Sequence, residues 1–123
     1  MISPLSIMRG SILSYEGKPQ IVKSIGEYIM FEGKKEWIGP SLVNGEPLSE
    51  EWLFKFGFYA NSSAWFERKG FLFLWGYTEE FGHFLHFADS DQTIVGSAMK
   101  YVHQLQMLCF SLTGEHLNVP KIK

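Results

Sequence analysis

Ala64-Trp65-Phe66-Glu67-Arg68-Lys69-Gly70-Phe71-Leu72-Phe73-Leu74-Trp75 is the stretch on which the fold class of this chain turns. Two runs of aromatic and branched residues, the kind that suit a pleated half-buried surface, flank Arg68-Lys69-Gly70, whose glycine supplies a tight turn. A third run, His83-Phe84-Leu85-His86-Phe87, follows after Gly76 to Gly82. The three read as an antiparallel β meander within Phe58 to Ala88. Phe71 to Trp75 is apolar on both faces, so it is expected to be a central strand, covered on one side by a helix and on the other by aromatics or a partner.

Toward the N-terminus, Ile7 to Phe31 carries short apolar runs punctuated by Gly10, Gly17 and Gly26. These read as three short antiparallel strands, with Glu16-Gly17-Lys18 as the first turn and Glu32-Gly33-Lys34-Lys35 as a turn leading to Glu36-Trp37-Ile38. A small curled sheet or SH3-like half-barrel is expected. Gly39 to Pro47, rich in Gly, Pro, Ser and Asn, reads as a loop. It ends at a helix start: Ser49 is a good N-cap, Glu50 and Glu51 suit the positive end of the helix dipole, and Leu48 is placed to staple Leu53. A helix of about two turns from Glu50 to Phe56 follows, with Trp52, Leu53 and Phe56 as its apolar stripe and Gly57 as its stop.

Toward the C-terminus, Asp89-Ser90-Asp91-Gln92 reads as a polar turn and Thr93-Ile94-Val95 as a short strand. Tyr101, Leu105, Leu108 and Leu112 recur at helical spacing, flanked by Val102 and Cys109, with Lys100, Gln104, Gln106 and Ser111 on the polar side. The helix start falls between Ala98 and His103, and Gly114 ends it. Leu117 to Val119 is a candidate edge strand, and Lys121-Ile122-Lys123 is expected to fray. The whole is an α+β fold of two small antiparallel meanders, the first SH3-like, packed with a short central helix and a C-terminal helix. A chain of 123 residues is expected to form a single domain, 1–123.

Eleven Phe, five Tyr and four Trp leave little room for disorder, and a net charge of −2 disfavours general nucleic-acid binding. Cys109, the single cysteine, has no internal disulfide partner and reads as a buried thiol in a reducing compartment. No leader or apolar span is legible at the N-terminus, so a cytoplasmic protein that neither crosses nor inserts into a membrane is expected.

Residue sets that carry chemistry do not assemble. His83 and His86, three apart on a strand, point to opposite faces and would not chelate one ion; His103 and His116 lie outside that pair. Cys109 and His103 are on different faces of a helix. Glu50-Glu51 and Glu79-Glu80 are adjacent pairs, explained by a helix N-terminus and a solvated turn. Gly70-Phe71-Leu72 and Gly76-Tyr77-Thr78 lack the spacing of a phosphate loop, and Ser41, Ser62 and Ser63 have no nucleophile-elbow context. No catalytic, metal-binding or cofactor-binding residues, and no small-molecule substrate, are therefore expected. The aromatics remain: Trp65, Phe66, Phe71, Phe73, Trp75 and Tyr77 read first as core, then as a protein-binding patch, then as a stacking platform for single-stranded RNA. Lys18, Lys23, Lys34 and Lys35, and separately Arg68 with Lys69, are mild basic clusters that solvated turns explain. Trp65, Phe66, Arg68, Lys69, Trp75 and Tyr77 are the candidate partner-binding residues, since aromatic and Arg anchors dominate binding hot spots.

Tyr-Val-His-Gln-Leu-Gln-Met-Leu-Cys-Phe-Ser-Leu-Thr-Gly-Glu-His-Leu, residues 101–117, resembles the C-terminal signature of a family of small phage and prophage proteins of Bacteroidetes. Pro47 to Phe58 is similar to that family's central helix, and Met8-Arg9-Gly10-Ser11-Ile12-Leu13, with Gly17 and Val22, to its N-terminal strands. Met107, Cys109 and His116 depart from the usual pattern, and Phe58 to Asp89 is unusually aromatic. The resemblance implies a non-catalytic host-interaction factor, similar to inhibitors of CRISPR nucleases. The implied partner is a host protein: an RNA-guided type VI-B effector, with or without its guide RNA. A single-stranded RNA-binding module and a phage structural or assembly component are the alternatives.

Overall fold

A computed structural model describes residues 7–117 apart from 27, 61–63, 81, 90 and 92, with backbone alone at 96 and 97. The fold is α+β, with two antiparallel sheets and two α-helices among the described residues. Contacts group the chain into two compact units, residues 1–47 with 101–123 and residues 48–100.

In the first unit β1 (Ile12–Tyr15), β2 (Lys18–Ile25) and β3 (Ile29–Phe31) form the expected meander. Glu16 and Gly17, at φ 53° and 75°, make the two-residue turn of the first hairpin, in which Tyr15 pairs with Lys18. Positive φ at both central positions matches the right-handed twist of the flanking strands. A register shift between Val22 and Ser24 curls β2, and Ile38 bridges Ile29 in both directions, at 2.8 and 2.6 Å. Gly39 to Pro47 is more than the loop read from its composition. Pro40–Leu42 is a 3-10 turn and β4 (Val43–Gly45) pairs with β1, giving the order β3-β2-β1-β4. Three residues are too few to show alternation, so composition hid this strand. Ile7, Leu13, Val22, Ile29, Phe31, Ile38 and Val43 pack into one core, with Tyr15 and Ile25 against it.

The helix α2 (Val102–Thr113) belongs to this unit. Gln104 Oε1 accepts the Tyr101 N–H at 3.0 Å at its start, and Gly114, at φ 76°, ends it with a left-handed cap. Its buried stripe is Val102, Leu105, Gln106 and Cys109, with His103 beside it, while Leu108 and Leu112 are only half-buried. The stripe expected from the leucines is thus turned, and Gln106, expected on the polar side, is inside. Gln106 Oε1 accepts the Ile12 N–H at 2.7 Å, and Nε2 donates to Gly10 O at 2.8 Å and Leu117 O at 3.2 Å. A glutamine with both ends satisfied is compatible with burial, which hydrophobic spacing cannot reveal. Of the expected edge strand Leu117 to Val119, residues 118 and 119 lie outside the described residues, as do the tail 121–123, Ser62 and Ser63.

In the second unit α1 (Glu50–Lys55) starts where Ser49 Oγ accepts the Trp52 N–H at 3.3 Å, with Glu50 and Glu51 in its first turn as expected. Then come β5 (Tyr59–Ala60), β6 (Trp65–Arg68), β7 (Phe71–Thr78), β8 (Gly82–Ala88) and β9 (Ile94–Met99), paired in that order. β7 runs through Gly76 to Thr78, beyond the expected end at Trp75, and β9 reaches Met99. Asp89 makes the expected turn, its Oδ1 accepting the N–H groups of Asp91 and Thr93, each at 2.9 Å.

The pleat sends alternate side chains to opposite faces. Phe66, Arg68, Phe73, Trp75, Leu85 and Phe87 share the face against which α1 and its exit pack: Phe58 meets Phe73 edge-on at 5.1 Å and Phe54 meets Phe66 at 5.7 Å. Trp65, Leu74, Phe84 and His86 lie on the other face. Leu48 N–H donates to Lys100 O at 2.9 Å, joining the ends of this unit; in the first unit Val102 N–H donates to Glu46 O at 2.8 Å beside a Pro47–Tyr101 bridge.

Candidate partner-binding site

The long β7–β8 hairpin is paired continuously from Leu72–Ala88 to Thr78–Gly82. Near its turn Tyr77 stands directly across from His83. The His83 ring lies parallel to the Trp75 indole, with centroids 5.0 Å apart and planes 3° apart, and at 4.8 Å from the Tyr77 ring. Trp75 is buried at 9 % exposure, whereas Tyr77 is 60 % exposed and His83 is exposed. The three rings form a ladder from core to solvent in which a fixed indole orients the imidazole and the imidazole props the phenol. An aromatic presented with so few free torsions loses little entropy when a partner covers it. Glu79 and Glu80, both exposed in the turn, make this end of the hairpin acidic.

Only two of the six residues expected to bind a partner, Trp75 and Tyr77, come together here, and the residue that links them, His83, was set aside as one of an unproductive histidine pair. Reading Gly76 to Gly82 as a loop removed the pairing that places His83 opposite Tyr77. Arg68, which pairs with Phe71, and Lys69 sit at the other end of β7, about 20 Å from Tyr77 for six residues at ~3.3 Å each. Arg68 Nε donates to Phe56 O at 2.9 Å and the guanidinium lies 6.0 Å from the Phe58 ring, so it braces the exit of α1. Lys69, at φ 51°, forms the β6–β7 turn with Gly70. Phe66 is 3 % exposed and belongs to the core, which takes it out of a surface patch. Trp65 is half-buried on the opposite face, across from Leu74.

The other histidines divide as strand parity requires. His86 lies on the face opposite His83, with its Nδ1 out of reach of water and without a hydrogen-bond partner. His103, in the first unit, is buried with an unpartnered Nδ1, and burial pushes its pKa below the ordinary histidine value. Exposed Tyr59 donates to Glu67 Oε2 at 2.6 Å; that hydrogen bond, then desolvation and the carboxylate charge, raise the phenol pKa. Cys109 is buried and unbridged. Among the described residues no three His, Cys, Asp or Glu side chains gather to hold a metal ion, and no helix is long and apolar enough to cross a membrane. Comparisons with protein-family models, curated proteins and solved structures gave no match.

Proposed function

We propose that the chain is a non-catalytic phage or prophage accessory protein that inhibits a host defence system by stoichiometric binding. The proposed target is an RNA-guided type VI-B nuclease, or its loading with guide RNA, and the contact is the end of the β7–β8 hairpin. The observation that carries this reading is the Trp75–His83–Tyr77 ladder, a pre-set aromatic anchor beside Glu79 and Glu80. A nuclease that holds RNA must present basic surface to its phosphates, and an acidic tip with an aromatic anchor complements such a surface. The resemblance of residues 101–117 to phage and prophage proteins supplies the class of target. Direct RNA binding by this chain is less well supported, because the aromatic ladder and the Arg68–Lys69 turn lie at opposite ends of one strand.

A type VI-B effector reconstituted with guide RNA and titrated with the chain tests this. Cleavage of target RNA is expected to fall in proportion to added chain and to vanish near equimolarity. Tyr77→Ala combined with Glu79→Lys and Glu80→Lys is expected to restore cleavage while leaving the unfolding midpoint of the chain unchanged. Full cleavage in the presence of excess chain would sink the proposal, and so would complete loss at far below equimolar amounts, which would mean turnover.

A further inference from the structure

In the first unit, Tyr15, Glu16, Phe31, Lys34, Glu36 and Ile38 line a cavity of about 260 Å³ where the β1–β2 turn faces the chain leaving β3. Strand parity brings these side chains together. Tyr15 stands two residues beyond the buried Leu13 and so leans to the core side of β1, where its ring stacks on Phe31 with centroids 5.8 Å and planes 30° apart. Phe31 is fully buried and backs the Tyr15 ring. Ile38 is buried in the same core and Trp37 is 55 % exposed, so Glu36 returns to the core side of its run and stands at the cavity mouth. Glu16 and Lys34, both exposed, complete the rim from the two turns. Among the described residues no ion pair or hydrogen bond engages the side chains of Glu16, Lys34 or Glu36. The lining therefore presents two carboxylates against one ammonium, above an aromatic floor.

We infer that this cavity binds a guanidinium group, laid on the Tyr15 ring and donating its N–H groups to the Glu16 and Glu36 carboxylates. A planar guanidinium supplies both features that the lining calls for: a face that stacks on an aromatic ring and an edge of donors that matches carboxylates. A primary ammonium can use the carboxylates, but it is more strongly hydrated and has no face to stack. An anion would meet two like charges against one opposite charge. Because Phe31 already holds the Tyr15 ring, little side-chain entropy is lost on binding. Lys34 leaves the lining with an excess of one negative charge and offers a partner to the α-carboxylate of free arginine. The guanidinium is bound and not transformed, and the site is independent of the Trp75–His83–Tyr77 ladder, which lies in the second unit.

Chemical-shift titration of the full chain with the Nα-acetyl amides of arginine, lysine and citrulline tests the assignment, citrulline carrying a neutral urea in the shape of the guanidinium. The arginine amide is expected to saturate, with shifts centred on Tyr15 and Phe31, and to bind roughly tenfold tighter than the lysine amide. The citrulline amide is expected not to saturate. Glu36→Gln should weaken the arginine amide roughly tenfold, the loss of a charge-assisted hydrogen bond, while the unfolding midpoint stays where it is. Glu16→Asn, which suits the left-handed turn position, should weaken it as well. Free arginine separates the two sources of the group. Tighter binding than the amide, abolished by Lys34→Met, identifies the free amino acid as the ligand; binding no tighter than the amide identifies an arginine side chain of a polypeptide. No saturable shifts with any compound, equal affinity for arginine and either of the other two amides, shifts centred away from Tyr15, or arginine binding untouched by both Glu36→Gln and Glu16→Asn would overturn the inference.

Discussion

The side-chain carbonyl of Gln106 accepts the backbone N–H of Ile12 at 2.7 Å, tying the middle of α2 to the first strand across 94 positions of sequence. With its amide nitrogen on Gly10 O and Leu117 O, one side chain satisfies three buried or part-buried backbone groups from two other segments. Gln106→Leu fills the same space and orphans all three. At about 1–3 kcal/mol for each group left unpaired, urea denaturation should record a loss of roughly 3 kcal/mol or more. A loss below about 1 kcal/mol would mean that water replaces the amide.

His103 should make stability depend on acidity in one direction. Its folded pKa lies below the ordinary 6.5 because burial penalises the cation, so between those two values the unfolded chain binds a proton that the folded chain does not. Stability therefore falls as pH drops through 6.5 and is unaffected by this group above it. The slope from one proton is at most about 1.4 kcal/mol per pH unit. Denaturation at several pH values, for the native chain and for His103→Phe, isolates the contribution: the difference between the two curves should be flat above pH 6.5 and bend below it. Parallel curves throughout would refute the assignment.

Gly45 is required by the ring of Tyr101, since a Cβ there would approach its Cγ and Cδ1 to 2.6 Å. Gly45→Ala should cost about 1–3 kcal/mol through overpacking. Combined with Tyr101→Ala, much of that cost should disappear, and a double-mutant cycle should return a coupling of at least about 0.5 kcal/mol. Additive effects would place the strain elsewhere.

The β1–β2 turn offers a stabilising change. Glu16 adopts φ 53°, a left-handed conformation that asparagine takes up at lower cost than glutamate. Glu16→Asn should raise stability by roughly 1 kcal/mol, visible as a higher unfolding midpoint with an unchanged denaturant slope.

Features with local causes could be read in the sequence. Glu16-Gly17 and Lys69-Gly70 announce two hairpins, Ser49-Glu50-Glu51 announces α1, and Gly114 announces the end of α2, because each is settled by neighbouring residues. What escaped depends on distant partners. Gly76 looks like a strand breaker until Phe84, across the hairpin, is known to occupy its side-chain space. Gln106 looks solvent-facing until Ile12, Gly10 and Leu117 supply its hydrogen bonds. The candidate site suffered most from parity: Phe66 and Trp65 are neighbours in sequence and lie on opposite faces of the sheet, so a list of aromatics could not say which of them a partner would meet.

The hydrogen bond between Leu48 and Lys100 closes the second unit at its base, next to where the Glu46–Val102 bond seals the first. To the first unit everything between those points is one closed loop. Doubling the length of a flexible loop adds only about 0.6 kcal/mol to its closure, and here the ends are already pinned by backbone pairing. Residues 48–100, hairpin tip included, can consequently be lengthened, shortened or exchanged while the points at which the chain leaves and re-enters the first unit stay unaltered.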